Sequence, residues 1–470
     1  MISKVGLIRQ CNWLTPCFFS NCMSSTFGGK ILAHRQVHRR RKTENGSVLL
    51  VTIIITALIC FTLASYLHLV SQQNQSITRS LSWNTAMPVA EAGIEEALAH
   101  LNQNITNRAV DGWQVNGTNV VMERTLGDAK YKVWINSVID PPRILAQGQV
   151  QIPVSDRHVT RGVLVRTKKD ALFAKALVAK GEIDLNGSGI MTDSFDTTDP
   201  NYHTGGRYDP AKAKDNGDVA SNSTIKDSIS VGNAHIYGHV STGPGGSVSV
   251  GNGMVGNKAF HANPANAGKI QGGWFKDDMN VQFPDAKVPA GLAFAPLPGV
   301  VGGTNYTYVL PAGKWELPDL KSSKARILVT GDAILHVKGE ISLSGKAEII
   351  VAPGGNLNLY AGGPTTKITG QGFVNDGSAL NFAYHGLPTN TEVHFGGNAS
   401  FTGTIYAPNA YFHLGGGGND GYDFVGAAIV NNVKMNGHFA FHYDEALAKI
   451  GPFRGYLVDS WQENMSWTEL

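Results

Sequence analysis

The chain has 470 residues with 39 Lys and Arg against 36 Asp and Glu, a formal charge of +3 with its 15 His neutral. Eight of those bases but only one acid, Glu44, precede residue 46, so the remainder carries −4 and gives no electrostatic footing for nucleic-acid binding. The four cysteines, Cys11, Cys17, Cys22 and Cys60, all fall in the first 60 residues, which excludes disulfides and cysteine-based zinc sites from the rest of the chain.

Residues 1–46 form a basic leader ending in the cluster HRRRK (38–42). From Val48 to Val70 the sequence VLLVTIIITALICFTLASYLHLV is apolar almost throughout, and no Asp, Glu, Lys or Arg occurs between Glu44 and Arg79. A hydrocarbon layer roughly 30 Å thick takes about 20 such residues as a helix. A cleaved signal peptide has a shorter apolar region of about 7–15 residues and a small-residue exit, which the continuation Tyr66-Leu67-His68-Leu69 lacks. The segment therefore reads as a retained single-pass anchor, and the excess of Lys and Arg ahead of it predicts a cytoplasmic N-terminus and an exported body.

The helical pattern continues to about residue 104. Ala90, Ile94, Ala97, Leu98, Leu101 and Ile105 recur at three- and four-residue steps, with Glu91, Glu95, Glu96 and His100 mostly off that stripe. Pro88 is expected to kink the helix or divide it into two pieces, because it has no N–H and its ring clashes with the preceding turn. A continuous helix over this length would measure on the order of 85–90 Å at 1.5 Å per residue.

Gly46 immediately before SVLLVTIII, a helix emerging from the bilayer and the segment AEAGIEEAL (90–98) resemble the N-terminal region of minor pilins of the PilX type, found in type IV pilus systems, over residues 46–105. The resemblance implies cleavage by a prepilin peptidase after Gly46, leaving Ser47 as the new N-terminus, and partnership with other pilins or pilus assembly proteins. It further implies that Met23 is a candidate start, giving a 24-residue leader. At the fifth position after the cut, where major pilins carry the glutamate that neutralises a neighbour's N-terminal amine, this chain has Val51, a departure that favours an accessory role.

Past residue 107 the period changes from helix to strand. YKVWINSVI (131–139), RILAQGQVQI (143–152) and RGVLVRTKK (161–169) alternate between turn signals and predict a small antiparallel sheet over 108–170, with the helical stripe as its packing partner. From 171 to 450 glycine and asparagine become frequent, and glycine reaches 55 residues of the whole chain, near 12% against a usual ~7%. In ARILVTGDAILHVKGEISLSGKAEIIVAPGGNLNLYAGG (325–363) glycines punctuate short alternating strands. The pairs Ile327 and Val329, Leu335 and Val337, Ile341 and Leu343, Ile349 and Val351, and Leu357 and Leu359 each give one narrow apolar face.

Such faces make a continuous core only when stacked, so the region is predicted to be a β-solenoid, a right-handed parallel β-helix in its simplest form, with a β-sandwich as the alternative. Looser copies of the unit start at Leu177, Ile236, Ile405 and Ile429. The fold class is thus α+β and mostly β. The stretches 201–224 and 261–299, rich in Gly, Pro and Asn, read as surface loops. Residues 451–470, with Trp461 and Trp467, read as a tail that caps an open solenoid end or docks to a partner. GTIYAPNA (403–410), VGAAIVNNVKMNG (425–437) and FHYDEAL (441–447) resemble an uncharacterised C-terminal domain of pilus-assembly-like bacterial proteins, spanning roughly 170–450 and implying no chemistry of its own.

Catalytic signals are sparse. β-Helix folds can carry paired carboxylates for glycan cleavage, but the pairs Asp277-Asp278 and Asp444-Glu445 are adjacent, and neighbours on a strand point to opposite faces. His239, His385, His394, His413, His438 and His442 are scattered, and Asp193, Asp196, Asp199, Asp209, Asp215 and Asp218 offer the oxygen ligands calcium takes without fitting a calcium-loop signature. No phosphate-cradling loop or nucleophile elbow is present. The expectation is a non-enzymatic, cofactor-free accessory protein of a type IV pilus or related filament, in the bacterial inner membrane with its β domain periplasmic or surface-exposed. A membrane-tethered adhesin or carbohydrate-active β-helix protein is the alternative.

Overall fold

The computed structural model describes residues 47–104, 108–136, 138–153, 155–187, 189–369, 372–375, 377–397, 401–416 and 424–463. The leader with Gly46, the stripe residue Ile105 and the tail residue Trp467 lie outside these. The chain divides into two compact units, residues 1–76 and 77–470.

A single helix, Ser47–Gln103, continues through Pro88, so the proline does not separate two pieces. Its part in the first unit leaves every large apolar side chain from Val48 to Leu69 about half exposed or more. In the second unit the same helix buries Ala86, Val89, Ala90, Ile94, Ala97 and Leu101 against a sheet. His100, read as off the stripe, is also buried; it stacks on Trp113 with ring centroids 4.5 Å apart.

The sheet is antiparallel, in the order Gln114–Asn116, Asn119–Leu126, Ala129–Asn136, Arg143–Gln151, His158–Ala171 and Phe453–Glu463. Its sixth strand corrects the reading of the C-terminus. Residues 453–463 do not close a solenoid end; they return to pair with His158–Ala171. An exposed strand edge with unpaired N–H and C=O groups accepts a strand wherever one arrives in the chain.

Between the fifth and sixth strands the chain builds a parallel β-solenoid of about nine turns. Its turns are not stacked in chain order. The chain enters in the middle of the stack with Leu177–Ala179, Ile183–Asp184 and Met191–Phe195, and adds turns in one direction up to Phe275–Lys276. We call this the first arm. Residues 277–296 then cross back over the outside. Met279 N–H donates to the Thr242 carbonyl (2.9 Å), Tyr406 Oη to the Pro284 carbonyl (2.6 Å), and Phe294 pairs beside Trp315.

The second arm starts at the far end with the hairpin Leu297–Val301 and Thr304–Leu310 and grows back turn by turn. It ends in Phe424–Gly437 and Ala440–Asp444, which pair in parallel with the first strands of the first arm. One row of paired residues shows the continuity: Trp315, Leu335, Leu359, Tyr384, Ile405 and Ala428 in the second arm meet Leu177, Val219, Val240 and Phe275 in the first.

Apolar residues at alternate positions are what stacking buries, and the ten residues named from the 325–363 stretch are all core. Parallel pairing between turns replaces the sandwich alternative. Near the seam the core is aromatic, with Phe401 on Phe424 at 4.7 Å and Phe424 on Phe441 at 4.1 Å. The two loop readings hold only in part. Val219–Ser221, inside the first, is a fully buried strand, and Lys269–Ile270 and Phe275–Lys276, inside the second, are short strands.

Candidate functional site

Two places combine unusual surface chemistry with defined geometry: the helix with its sheet, and the seam of the solenoid.

On the sheet, the helix sits close because the facing residues are small. A side chain at Gly148 would collide with the backbone at Ala86 and Ala90, and one at Gly93 would press on the Tyr131 ring at 3.0 Å. Glu96 turns back to the sheet, accepting from Arg124 Nε (2.7 Å) and Tyr131 Oη (2.5 Å). Burial acts to raise its pKa, but these two donors outweigh that and hold the carboxyl below the ordinary glutamate value. Burial and the same carboxylate push Tyr131 up to about 12, keeping it a donor. At the helix end Asn102 clamps the returning strand, accepting from Tyr456 N–H (2.6 Å) and donating to its carbonyl (3.2 Å). Arg161 adds a two-pronged pair to Glu463, both contacts 2.8 Å. The proposed processing position Gly46 lies outside the described residues, and Ser47 is the first residue of the helix.

At the seam, residues some 250 positions apart form one buried polar cluster. His442 Nδ1 and Asp193 Oδ1 lie 2.5 Å apart, Tyr208 Oη donates to Asp193 Oδ2 (2.6 Å), and the Tyr208 ring stacks on His442 at 3.6 Å. Asp444 accepts from Thr197 N–H (3.1 Å), Thr197 Oγ1 (2.8 Å) and Ala446 N–H (3.1 Å). Burial still dominates and raises its pKa. Burial raises Asp196 too, but Lys449 and Thr198 overcome it and hold the carboxyl below the ordinary aspartate value. Glu445 takes Ser194 Oγ (2.9 Å), Asn216 Nδ2 (2.7 Å) and Lys214. The adjacent carboxylates of Asp444 and Glu445 therefore serve different partners.

Beside this cluster lies a cavity of about 360 Å³, walled by Thr197, Arg207, Tyr208, Asn375, Ser378, Thr402, Val425 and Asp444 among others. Since Asp444 is fully buried and engaged, the cavity offers hydroxyl, amide and guanidinium groups beside apolar surface, a lining suited to a polar ligand.

The other sequence candidates are dispersed. Asp199 and Asp209 cap short helical turns through Asn201 N–H and Ala211 N–H, both 3.0 Å. Asp218 pairs with Lys175 at 3.1 Å and approaches His239 at 3.3 Å, whose ring stacks on Trp274. Asp277, Asp278 and His438 are exposed. His385 stacks on Tyr360, and His394 on His413 at 4.4 Å. Among the described residues no three His, Cys, Asp or Glu side chains are grouped so as to hold a metal ion, so the acidic residues do not assemble as a calcium site. Thr197, Tyr208, Lys214 and Lys449 were not anticipated, because no local pattern marks residues that meet only when the two arms close.

Comparison with known proteins adds little. Residues 319–450, the greater part of the second arm including its seam strands, match a domain of unknown function, DUF7305. No curated protein matches. A solved structure, the competence-associated pilin ComZ from Thermus thermophilus, aligns over 81% of this chain and 97% of its own at 10% identity, with a TM-score of 0.23.

Proposed function

We propose that the chain is a membrane-anchored, pilin-like accessory protein of a type IV pilus or related filament assembly system, with a structural rather than catalytic role. The observation that carries this reading is one helix of two characters: an exposed apolar half over 48–69 and an amphipathic half seated on a small antiparallel sheet. An apolar surface of that length is stable only in lipid or against other apolar helices, so bilayer and neighbouring pilin helices are its natural surroundings. The basic leader favours a cytoplasmic N-terminus at the inner membrane, with the solenoid in the periplasm or at the cell surface. Prepilin peptidase acting between Gly46 and Ser47 completes the proposal; nucleic acid has no part in it.

N-terminal sequencing of protein purified from membranes is the test. A start at Ser47 supports pilin-type processing, and a retained leader removes it. The seam cavity favours a second reading, a tethered adhesin or carbohydrate-active protein, through its mixed polar and apolar lining. Glycan binding or turnover by the solubilised full chain would support that reading, and inertness across a glycan panel would count against it.

A further inference from the structure

We propose that His235 and His261 form a binding site for a late first-row divalent transition-metal ion, with Asp215 as the adjacent carboxylate. The site lies in the first arm, where the strand His235–Ile236 meets the last residue of the turn Lys258–His261. The Nδ1 atoms of both histidines and Oδ1 of Asp215 are buried and have no hydrogen-bond partner, three of only seven such side-chain atoms among the described residues. Orphaned buried polar atoms are rare in folded chains, and each one needs an explanation.

The geometry suits an ion. The two imidazole centroids stand 5.4 Å apart at a 60° tilt. Rings ligating one tetrahedral ion through nitrogens at ~2.0–2.1 Å have centroids roughly 5 Å apart. His261 is oriented as a ligand is: Nε2 lies 3.1 Å from the Ile236 carbonyl, so donation there leaves the Nδ1 lone pair free. The Gly256 carbonyl also faces this ring and favours protonation, but no hydrogen bond closes on Nδ1. The Tyr237 ring stacks on His261 at 4.1 Å and fixes its plane.

Asp215 is held by its other oxygen, which accepts Lys258 N–H at 3.2 Å, and its charge is felt at His261. Because three donors do not converge, the ion takes two protein nitrogens, with water in its remaining positions. Imidazole ligands select zinc, copper or nickel over calcium and magnesium.

Chelator-treated, detergent-solubilised full-length protein titrated with Zn²⁺ tests this, alongside His235→Ala, His261→Ala and Asp215→Asn. We expect each histidine variant to lose one equivalent of Zn²⁺ relative to wild type and to lose the Zn²⁺-induced rise in Tm, and Asp215→Asn to weaken uptake by about tenfold or more. Ca²⁺ and Mg²⁺ should leave Tm unchanged. Should an alanine variant fail to fold, His235→Gln read by the visible absorption of bound Co²⁺ reports the same site, with the band lost if the assignment is right. Unchanged stoichiometry and unchanged Tm rise in both histidine variants would overturn the proposal, as would absence of Zn²⁺ uptake by wild type. Metal held by the leader cysteines would show as uptake indifferent to His235 and His261.

Discussion

The two arms stack the same kind of turn with different means. In the second arm strands such as Asp332–Val337 and Asn356–Ala361 run six residues and bury regular apolar rows. In the first arm many are two- or three-residue pieces, such as His235–Ile236, Val240–Ser241 and Met254–Val255. There, side chains bonded to backbone replace missing ladder bonds: Thr192 Oγ1 to the Gly217 carbonyl (2.9 Å), Ser221 Oγ to the Gly181 carbonyl (2.5 Å) and Asn222 to Val281 N–H (3.1 Å). Glycines let the turns approach, since a side chain at Gly217 would strike the Asp193 backbone at 2.6 Å. The contrast teaches that apolar rows hold the second arm and polar corners hold the first. The seam is where the two must agree.

The largest expected effect is therefore at the seam backbone. Gly426 has φ +140° and faces the Gly403 carbonyl, so Gly426→Ala meets both backbone strain and collision. We expect a loss of more than about 3 kcal/mol, with hydrogen-exchange protection falling in both arms together. If only the second arm loosens, the arms are not one cooperative unit.

Asp193→Ala comes next. It leaves His442 and the Tyr208 hydroxyl buried without their shared acceptor, at a cost of about 3 kcal/mol in chemical denaturation. A change within 0.5 kcal/mol would show that the polar cluster is not what joins the arms.

An acid titration sharpens the comparison from the second arm. Burial lowers His385 to about 4 from an ordinary 6.5. Above pH 6.5 the ring is neutral folded and unfolded, and the stability is whole. Between 6.5 and 4 the unfolded chain binds a proton that the folded chain refuses, so stability falls with pH by up to about 3 kcal/mol, and not further below 4. His385→Gln should flatten that part of the curve, measured by Tm against pH. The smallest effect, about 1 kcal/mol, is expected for Asn102→Ala, which frees the returning strand Phe453–Glu463 from the helix and should speed its hydrogen exchange while leaving both arms unchanged.

Much of this architecture was legible in the sequence. The 325–363 stretch revealed its turns because Ile327 through Leu359 alternate between glycines over strands long enough to show a period. The helix stripe was readable for the same reason, and the sheet followed from three alternating runs. In the first arm a two-residue strand such as Met254–Val255 has no period to detect, so Val219–Ser221 passed for loop. The order of the turns and the sixth sheet strand depend on pairings between residues hundreds of positions apart, such as Ala428 with Leu177 and Trp461 with Val165, for which local chemistry leaves no mark. The seam carboxylates were visible as residue types, yet their roles depend on Tyr208, Thr197 and Lys449 arriving from elsewhere.

Alkaline carbonate extraction of membranes carrying the full-length chain tests the central claim most directly. With the apolar half of the helix in the bilayer, the protein stays in the membrane pellet. Quantitative release into the supernatant would mean that residues 48–69 are covered by protein rather than lipid, and would contradict the anchored, pilin-like assignment.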